Sequence, residues 1–300
     1  MGTLFILTVY KKYLHFYSIC ATIVELIEYK ERNGMGKFTG KTVIITGGGR
    51  AVLADGSCGS IGYGIATAFA KEGANIVITG RNWDKLQAGK EELEKLYNVR
   101  VLPVQADISA TSDNEAVVKN VIDKTIEEFS QIDVLVNNAQ ASASGVTLED
   151  HTLEQFNLAV YSGLFATFLY MKYCLPYLKQ TKGSVINFGS GAGLFGNYGQ
   201  PSYAAAKEGI RGLSRVAATE WASYGINVNV ICPLAWTAAL ENFKNAYPEA
   251  FEANVHTPPA GHFGDCEKEI GRVVLQLASE DFKYMNGETI TLEGGMGQRP

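Results

Sequence analysis

From Thr42 onward the chain alternates short, almost wholly apolar runs with amphipathic stretches of helical length. The runs Thr42-Val-Ile-Ile-Thr46, Asn75-Ile-Val-Ile-Thr79, Val101-Leu-Pro-Val-Gln105, Asp133-Val-Leu-Val-Asn137, Ser184-Val-Ile-Asn-Phe188, Asn227-Val-Asn-Val-Ile231 and Glu288-Thr-Ile-Thr-Leu292 read as strands. Segments such as Asp84–Leu96, Asn114–Phe129 and Tyr203–Tyr224 between them read as helices. Strands apolar on both faces cannot border water, so the pattern predicts an α/β fold whose parallel sheet is covered on both sides, with right-handed crossovers. No repeat, low-complexity tract or linker follows Met35, so residues 35–300 are predicted to form one domain, with an insertion-like segment from Leu234 to Phe263.

At 300 residues and 46% hydrophobic the chain can bury a large core. A net charge of −5 gives no basic surface for nucleic acid or an anionic membrane. Cys20, Cys58, Cys174, Cys232 and Cys266 contain no C-x-x-C pair, and with four histidines no zinc spacing occurs. No metal is expected, and reduced thiols in a cytoplasmic protein are the reading taken. Residues 1–34 differ in character. Their apolar run Leu4–Tyr10 is broken by Lys11 and Lys12, too short for a membrane span and charged on the wrong side for a signal peptide. They are either an extension packing on a partner subunit or translated upstream sequence before a start at Met35; no function is tied to them.

Chemistry enters after the first strand. Thr46-Gly-Gly-Gly-Arg50 is followed by an inserted-looking stretch, Ala51–Cys58, and then by Gly59-Ser60-Ile61-Gly62-Tyr-Gly64. Strand, glycine loop and helix stand in the order that lets backbone approach a pyrophosphate at a helix N-terminus, although an ordinary glycine-rich turn has the same composition. Gly47, Arg50, Ser60, Ile61 and Gly62 are the expected cofactor contacts. An acid for the ribose hydroxyls belongs about 20 positions on, but the sequence there is Thr79-Gly80-Arg81-Asn82. Arg81 and Arg50 favour NADP(H), with NAD(H) still open. Tyr203 and Lys207 lie four apart on one helix face, and Ser190 lies 13 residues upstream after a strand. An ammonium beside a phenol is expected to lower the phenol's pKa. Ser190 would then steady a substrate oxygen while Tyr203 moves its proton.

Taken with Thr46-Gly47…Gly62, Asp107, Asn137-Asn138-Ala139 and Cys232-Pro233, this trio makes Lys41–Gly295 resemble the short-chain dehydrogenases/reductases. The resemblance implies a single Rossmann-type, doubly wound domain with a seven-stranded parallel sheet, usually a homotetramer. It also implies that Asp107 and Ile108 hold the adenine end, that Asn137 braces its strand, and that Asn138, Tyr203, Lys207, Pro233 and Thr237 meet the cofactor. Three positions depart from the family pattern. Gln140 replaces a glycine, Gly163 stands where an asparagine usually completes a proton relay, and Leu234 replaces a glycine after Pro233. Ser162 or a water is the expected substitute in that relay.

The aromatic-rich segment 234–263 suits a bulky apolar ketone. Gln140, Leu194, Trp236 and Tyr247 are the expected substrate contacts, although lid aromatics more often pack the lid itself. Asn138–Gly145, Gly191–Gly196 and Glu293–Pro300 are similar to stretches of bacterial hydroxysteroid dehydrogenases acting at the 20β or 12α position, and the long glycine-loop insertion inclines the reading to 20β. Another short-chain carbonyl reductase, an enoyl-thioester reductase (from Gly59-Ser-Ile-Gly62) and a non-catalytic dinucleotide sensor remain alternatives.

Overall fold

A computed structural model describes residues 36–109 and 113–297; the extension at 1–34 lies outside them. Seven strands, β1 (Thr42–Thr46), β2 (Asn75–Gly80), β3 (Val101–Gln105), β4 (Val134–Asn137), β5 (Ser184–Phe188), β6 (Asn227–Pro233) and β7 (Thr289–Leu292), form one sheet. Its order is β3-β2-β1-β4-β5-β6-β7, parallel throughout. The doubly wound architecture expected from the sequence is present.

The unalternating strands have a direct explanation. Val43, Ile45, Ile76, Ile78, Val134 and Val136 enter one core. The residues between them, Ile44, Val77 and Leu135, enter the other. On the first face lie α1 (Ile61–Lys71), α2 (Trp83–Tyr97) and, far along the chain, a π turn Cys266–Gly271 that continues as α9 (Arg272–Leu277). The second face carries α3 (Asn114–Phe129), α4 (Leu153–Thr181) and α6 (Pro201–Trp221), with the short α5 (Gly191–Phe195) between the last two. By length and composition α4 would cross a membrane; here its Cys174 and Leu178 are fully buried on the sheet, as in a core helix. It starts at a Thr152/Gln155 capping box and contains a six-residue π turn, Val160–Phe165.

Asp133, expected in the fourth strand, instead sits below it. Its carboxylate accepts the Thr42 N–H at 2.8 Å and pairs with Lys41 at 3.1 Å. After β6 the chain makes a lid that leaves and rejoins the sheet side by side, through an Ala235–Gly264 bridge. Two short helices form it, α7 (Ala238–Ala246) and α8 (Pro248–Asn254). The inserted stretch 51–58 is a small hairpin closed at Val52–Cys58. It is tied to the lid where Ala238 N donates to Gly59 O (2.8 Å) and Ala54 N to Glu241 Oε2 (2.9 Å).

Helix α1 meets the π turn before α9 through glycines. A Cβ on Gly64 would lie 2.4 Å from Cys266 O, and one on Gly271 2.6 Å from Gly64 O. Gly64→Ala must therefore push the two elements apart. A loss of about 1–3 kcal/mol is expected in denaturant titration, the usual cost of overpacking; unchanged stability would refute the contact.

Candidate active site

The strand order reverses between β1 and β4, which opens a crevice at their carboxyl ends. There the β1 loop, the start of α1 and the end of β4 come together. Gly47 has φ +70°, a conformation suited to glycine. A Cβ on Gly62 would sit 2.1 Å from Gly47 O and 2.8 Å from Asn138 Nδ2. Thr46 Oγ1 accepts from Asn138 N and Ala139 N, and Asn138 Nδ2 donates to Thr46 O, at 2.9–3.0 Å. Asn138 thus pins the glycine loop in place. Ser60 caps α1 by accepting Tyr63 N–H, and its own proton goes to Gly49 O. Ile61 opens that helix, half-buried.

A cleft of about 270 Å³ beside this crossing is lined by Gly47, Gly80, Arg81, Ile108, Asn138 and Gln140, among others. Bare backbone and a helix N-terminus at a strand crossover, with an arginine alongside, fit a dinucleotide phosphate. Arg81 is exposed. Arg50 is turned onto α2, where its Nε meets Glu92 Oε2 at 2.7 Å while Tyr63 OH donates to Glu92 Oε1 at 2.7 Å. Asp107 is exposed, and its hydrogen bonds from Ser109, aided by the Arg81 charge, hold its carboxyl below the usual range.

At the far side of the crevice the expected trio does come together. Ser190 ends the β5 loop and caps α5, its Oγ accepting Ala192 N–H at 3.1 Å. It also lies beside the Tyr203 phenol, whose pKa it acts to lower. Lys207, one turn further along α6, is 3% exposed; its Nζ donates to Phe188 O at 2.8 Å and lies 5.4 Å from the Tyr203 ring centroid. The expected fall in the tyrosine's pKa is not found in the protein alone. Burial pushes the Tyr203 phenol up, against the opposing effect of Ser190. Burial also draws Lys207 down to about 7, so near neutrality it is only a partial cation.

Beneath the trio, Asn137 Nδ2 donates to Asn187 Oδ1 and Asn187 Nδ2 to Ser214 Oγ, both at 2.8 Å and fully enclosed. This ladder ties β4 and β5 to α6. Asn187 was not anticipated, although a lone asparagine in an apolar strand is a readable signal. Glu92 had no such signal. The substitute expected at Gly163 also differs. Ser162 Oγ accepts from Ala141 N (3.0 Å), and its single proton is divided between Leu158 O (2.6 Å) and Ala141 O (3.0 Å). It clamps the loop and has no proton left for a relay. The Gln140 amide, rather than a residue of the helix, lies against Gly163.

Other expected contacts are placed less favourably. Thr237 caps α7, with its Oγ1 accepting Leu240 N–H at 3.2 Å; Pro233 ends β6 and Leu194 lies in α5, both half-buried. Trp236 packs edge-on against Phe251 (6.0 Å) and tilted on Phe263 (5.5 Å). It borders a separate cavity of about 460 Å³ with Leu53, Cys58 and Lys244, none of the trio lining it. Tyr247 is 63% exposed, beside Phe243. Trp236 packs within the lid, and Tyr247 lies on its surface.

The unfolded chain holds a proton on Lys207 up to about its ordinary 10.5, the folded one only to about 7. Stability therefore rises with pH across that window, and the deficit is complete below it. In thermal melts without cofactor, Lys207→Met should melt above the wild type at pH 7, with the gap closing towards pH 10. A gap independent of pH would contradict a strongly depressed lysine.

Residues 56–297 match a family model described as enoyl-(acyl carrier protein) reductase. Over 266 residues the chain is 65% identical to the 12alpha-hydroxysteroid dehydrogenase of a Clostridium species, covering 89% of this chain and 100% of that protein. It is 34% identical to levodione reductase of Leifsonia aquatica, over 86% of this chain and 95% of that one. Among solved structures, levodione reductase superposes with a TM-score of 0.77 at 32% identity, covering 87% of this chain and 98% of that one. L-sorbose reductase from Gluconobacter frateurii, complexed with NADPH and L-sorbose, gives 0.77 at 26%, over 89% and 100%. The chain belongs to the short-chain dehydrogenase/reductase superfamily and is an NAD(P)-dependent oxidoreductase acting on CH–OH groups.

Proposed function

We propose that the protein is a 12α-hydroxysteroid dehydrogenase that interconverts a ring ketone and its alcohol with NADP(H). The substrate assignment is carried by the 65% identity to the clostridial enzyme over that enzyme's full length. It replaces the 20β reading drawn from the glycine-loop insertion. That insertion is a hairpin pinned to the lid, and its contacts say nothing about which steroid carbon reacts.

The bound nicotinamide supplies or takes the hydride. Ser190 accepts from Ala192 through its oxygen, which leaves its own proton to donate to the substrate oxygen where charge develops. Tyr203, a phenol already protonated at neutral pH and pushed further up by burial, is the proton donor in reduction. Lys207, titrating near neutrality behind it, restores that proton. For the cofactor, Arg81 at the end of β2 supports a 2′-phosphate, with no acid beside it at Gly80. Arg50, held by Glu92, is the secondary contact.

Exposed Phe156, Phe165 and Phe168 on α4, with Val216 on α6, support the homotetramer. The thiols of Cys58, Cys174 and Cys266 support a cytoplasmic setting. The family model's printed description keeps one other reaction in view, reduction of enoyl thioesters. The spacing of Tyr203 and Lys207 argues against it.

Product analysis with 12-oxo and 20-oxo steroids tests the assignment. Turnover of the 12-oxo compound is expected, and exclusive turnover of the 20-oxo compound or of an enoyl thioester would overturn it. Tyr203→Phe should abolish turnover and leave cofactor binding nearly intact, whereas binding without turnover by the wild type would indicate a sensor. Arg81→Ala should weaken NADPH about 10- to 100-fold, the worth of one charge-assisted contact, and leave NADH unchanged.

A further inference from the structure

The 51–58 hairpin closes on Cys58, two residues before the Ser60 that caps α1. Cys266, far along the chain, opens the π turn that leads into α9. Both line the cavity of about 460 Å³ between the hairpin and the lid. Cys58 is half-buried and packs against the core that encloses Cys266, itself 1% exposed. Each thiol donates to a backbone carbonyl, Cys58 Sγ to Ser60 O and Cys266 Sγ to Trp236 O, both at 3.3 Å. The two thiols also lie beside one another. Cys266 holds Cys58 below the usual thiol range, while Cys58, aided by burial, pushes Cys266 above it.

That asymmetry suits stepwise oxidation. The thiolate is the nucleophile, so the more open thiol of lower pKa reacts first and its enclosed neighbour resolves the product. Cys174, buried on the sheet with its thiol pushed up by burial, has no such opening. The pair is also joined to the cofactor loop. Cys58 braces Ser60 O, and Ser60 Oγ in turn donates to Gly49 O and accepts Tyr63 N–H at the start of α1. A disulfide carries no S–H. Forming one therefore removes the donor to Ser60 O beneath the loop and the donor to Trp236 O at the base of the lid.

We propose that Cys58 and Cys266 are a redox-active dithiol, a modification site that a hydroperoxide converts to a disulfide and that lowers the affinity for NADPH when closed. Cys58 sulfur attacks the peroxide. An S–O bond forms, the O–O bond breaks, and the leaving oxygen departs as water or alcohol with the Cys58 proton. Cys266 sulfur then attacks the sulfenic sulfur. The S–S bond forms, the S–O bond breaks, and the hydroxyl leaves as water with the Cys266 proton. The two electrons gained by the peroxide come one from each sulfur, and a small thiol reductant returns them. Disulfides in cytosolic proteins are commonly of this transient, sensing kind. The effect on NADPH rests on the cofactor reading proposed above; the cross-link does not.

Hydrogen peroxide in small excess, added to the full chain without cofactor, tests both parts. Peptide mapping after alkylation of free thiols should find Cys58 joined to Cys266. The Kd for NADPH should rise about tenfold, the worth of one lost hydrogen bond, and dithiothreitol should reverse both changes. Cys58→Ser, whose hydroxyl keeps a donor for Ser60 O, should bind NADPH as the wild type does and keep that affinity after peroxide. Cys266→Ala should stop at a sulfenic acid on Cys58, trapped by dimedone; should that variant not fold, the wild-type map and Cys58→Ser still decide. Both thiols remaining open to alkylation, or Cys58 joined to another cysteine, refutes the pair. A cross-linked protein that binds NADPH as tightly as the reduced one refutes the coupling. A reduced protein that binds NADH and not NADPH would instead sink the cofactor reading, while the mapped cross-link would still stand.

Discussion

The closest approach on which the site depends is that of Gly62 to the carbonyl of Gly47, where a single methyl would stand 2.1 Å from oxygen. It brings the first turn of α1 directly against the end of β1, and Asn138 locks β4 to the same point through Thr46. Three backbones then converge with only the Asn138 amide and the Thr46 hydroxyl between them. The consequence is a fixed place for a phosphate at the α1 N-terminus. A dinucleotide held there, as proposed, would have the strand ends and the trio on β5 and α6 alongside it.

A second set of constraints keeps the trio in place. Tyr203 and Lys207 ride on α6, and α6 is fastened to the sheet by amides as well as by packing. The chain of hydrogen bonds from Asn137 through Asn187 to Ser214 is enclosed between β4, β5 and α6. Polar networks in a low-dielectric interior are strong when complete and costly when broken. Asn137 Oδ1 has no protein partner, so the ladder still has one acceptor open at the end nearest the crevice. The ladder thus holds the ends of β4 and β5 rigidly against α6.

What the sequence made legible and what it hid divides along physical lines. The strands were readable because burial on both faces removes the polar alternation, and β1, β3 and β5 fall where the apolar runs put them. The trio was readable because Tyr203 and Lys207 are linked by helix periodicity and Ser190 by its place after a strand. Contacts across long sequence separations were not readable. Nothing in the sequence sends Arg50 to Glu92 or joins the 51–58 hairpin to Glu241. The sequence did not show how Trp236 and Tyr247 sit, because aromatic content says that a lid has a core, not which way its rings face. Gln140 and Gly163 could each be seen as a departure from the family pattern, but only the fold reveals that one fills the space left by the other.

The protonation states follow from burial in a way that pairwise reasoning reverses. An ammonium beside a phenol stabilises phenolate only if the ammonium keeps its charge. Lys207 is enclosed, with a backbone carbonyl as its hydrogen-bond acceptor, and a carbonyl dipole offsets the loss of water around a cation only in part. Burial accordingly moves the two groups in opposite senses, the phenol up and the amine down, and the pair is nearer to neutral than to zwitterionic. A neutral phenol is the right donor for reducing a ketone. In the proposed mechanism oxidation would need the phenolate, which burial disfavours, and so alkaline pH or positive charge brought into the site. In the proposed reaction an oxidised nicotinamide would bring such a charge beside the Tyr203–Lys207 pair, and a reduced one would not.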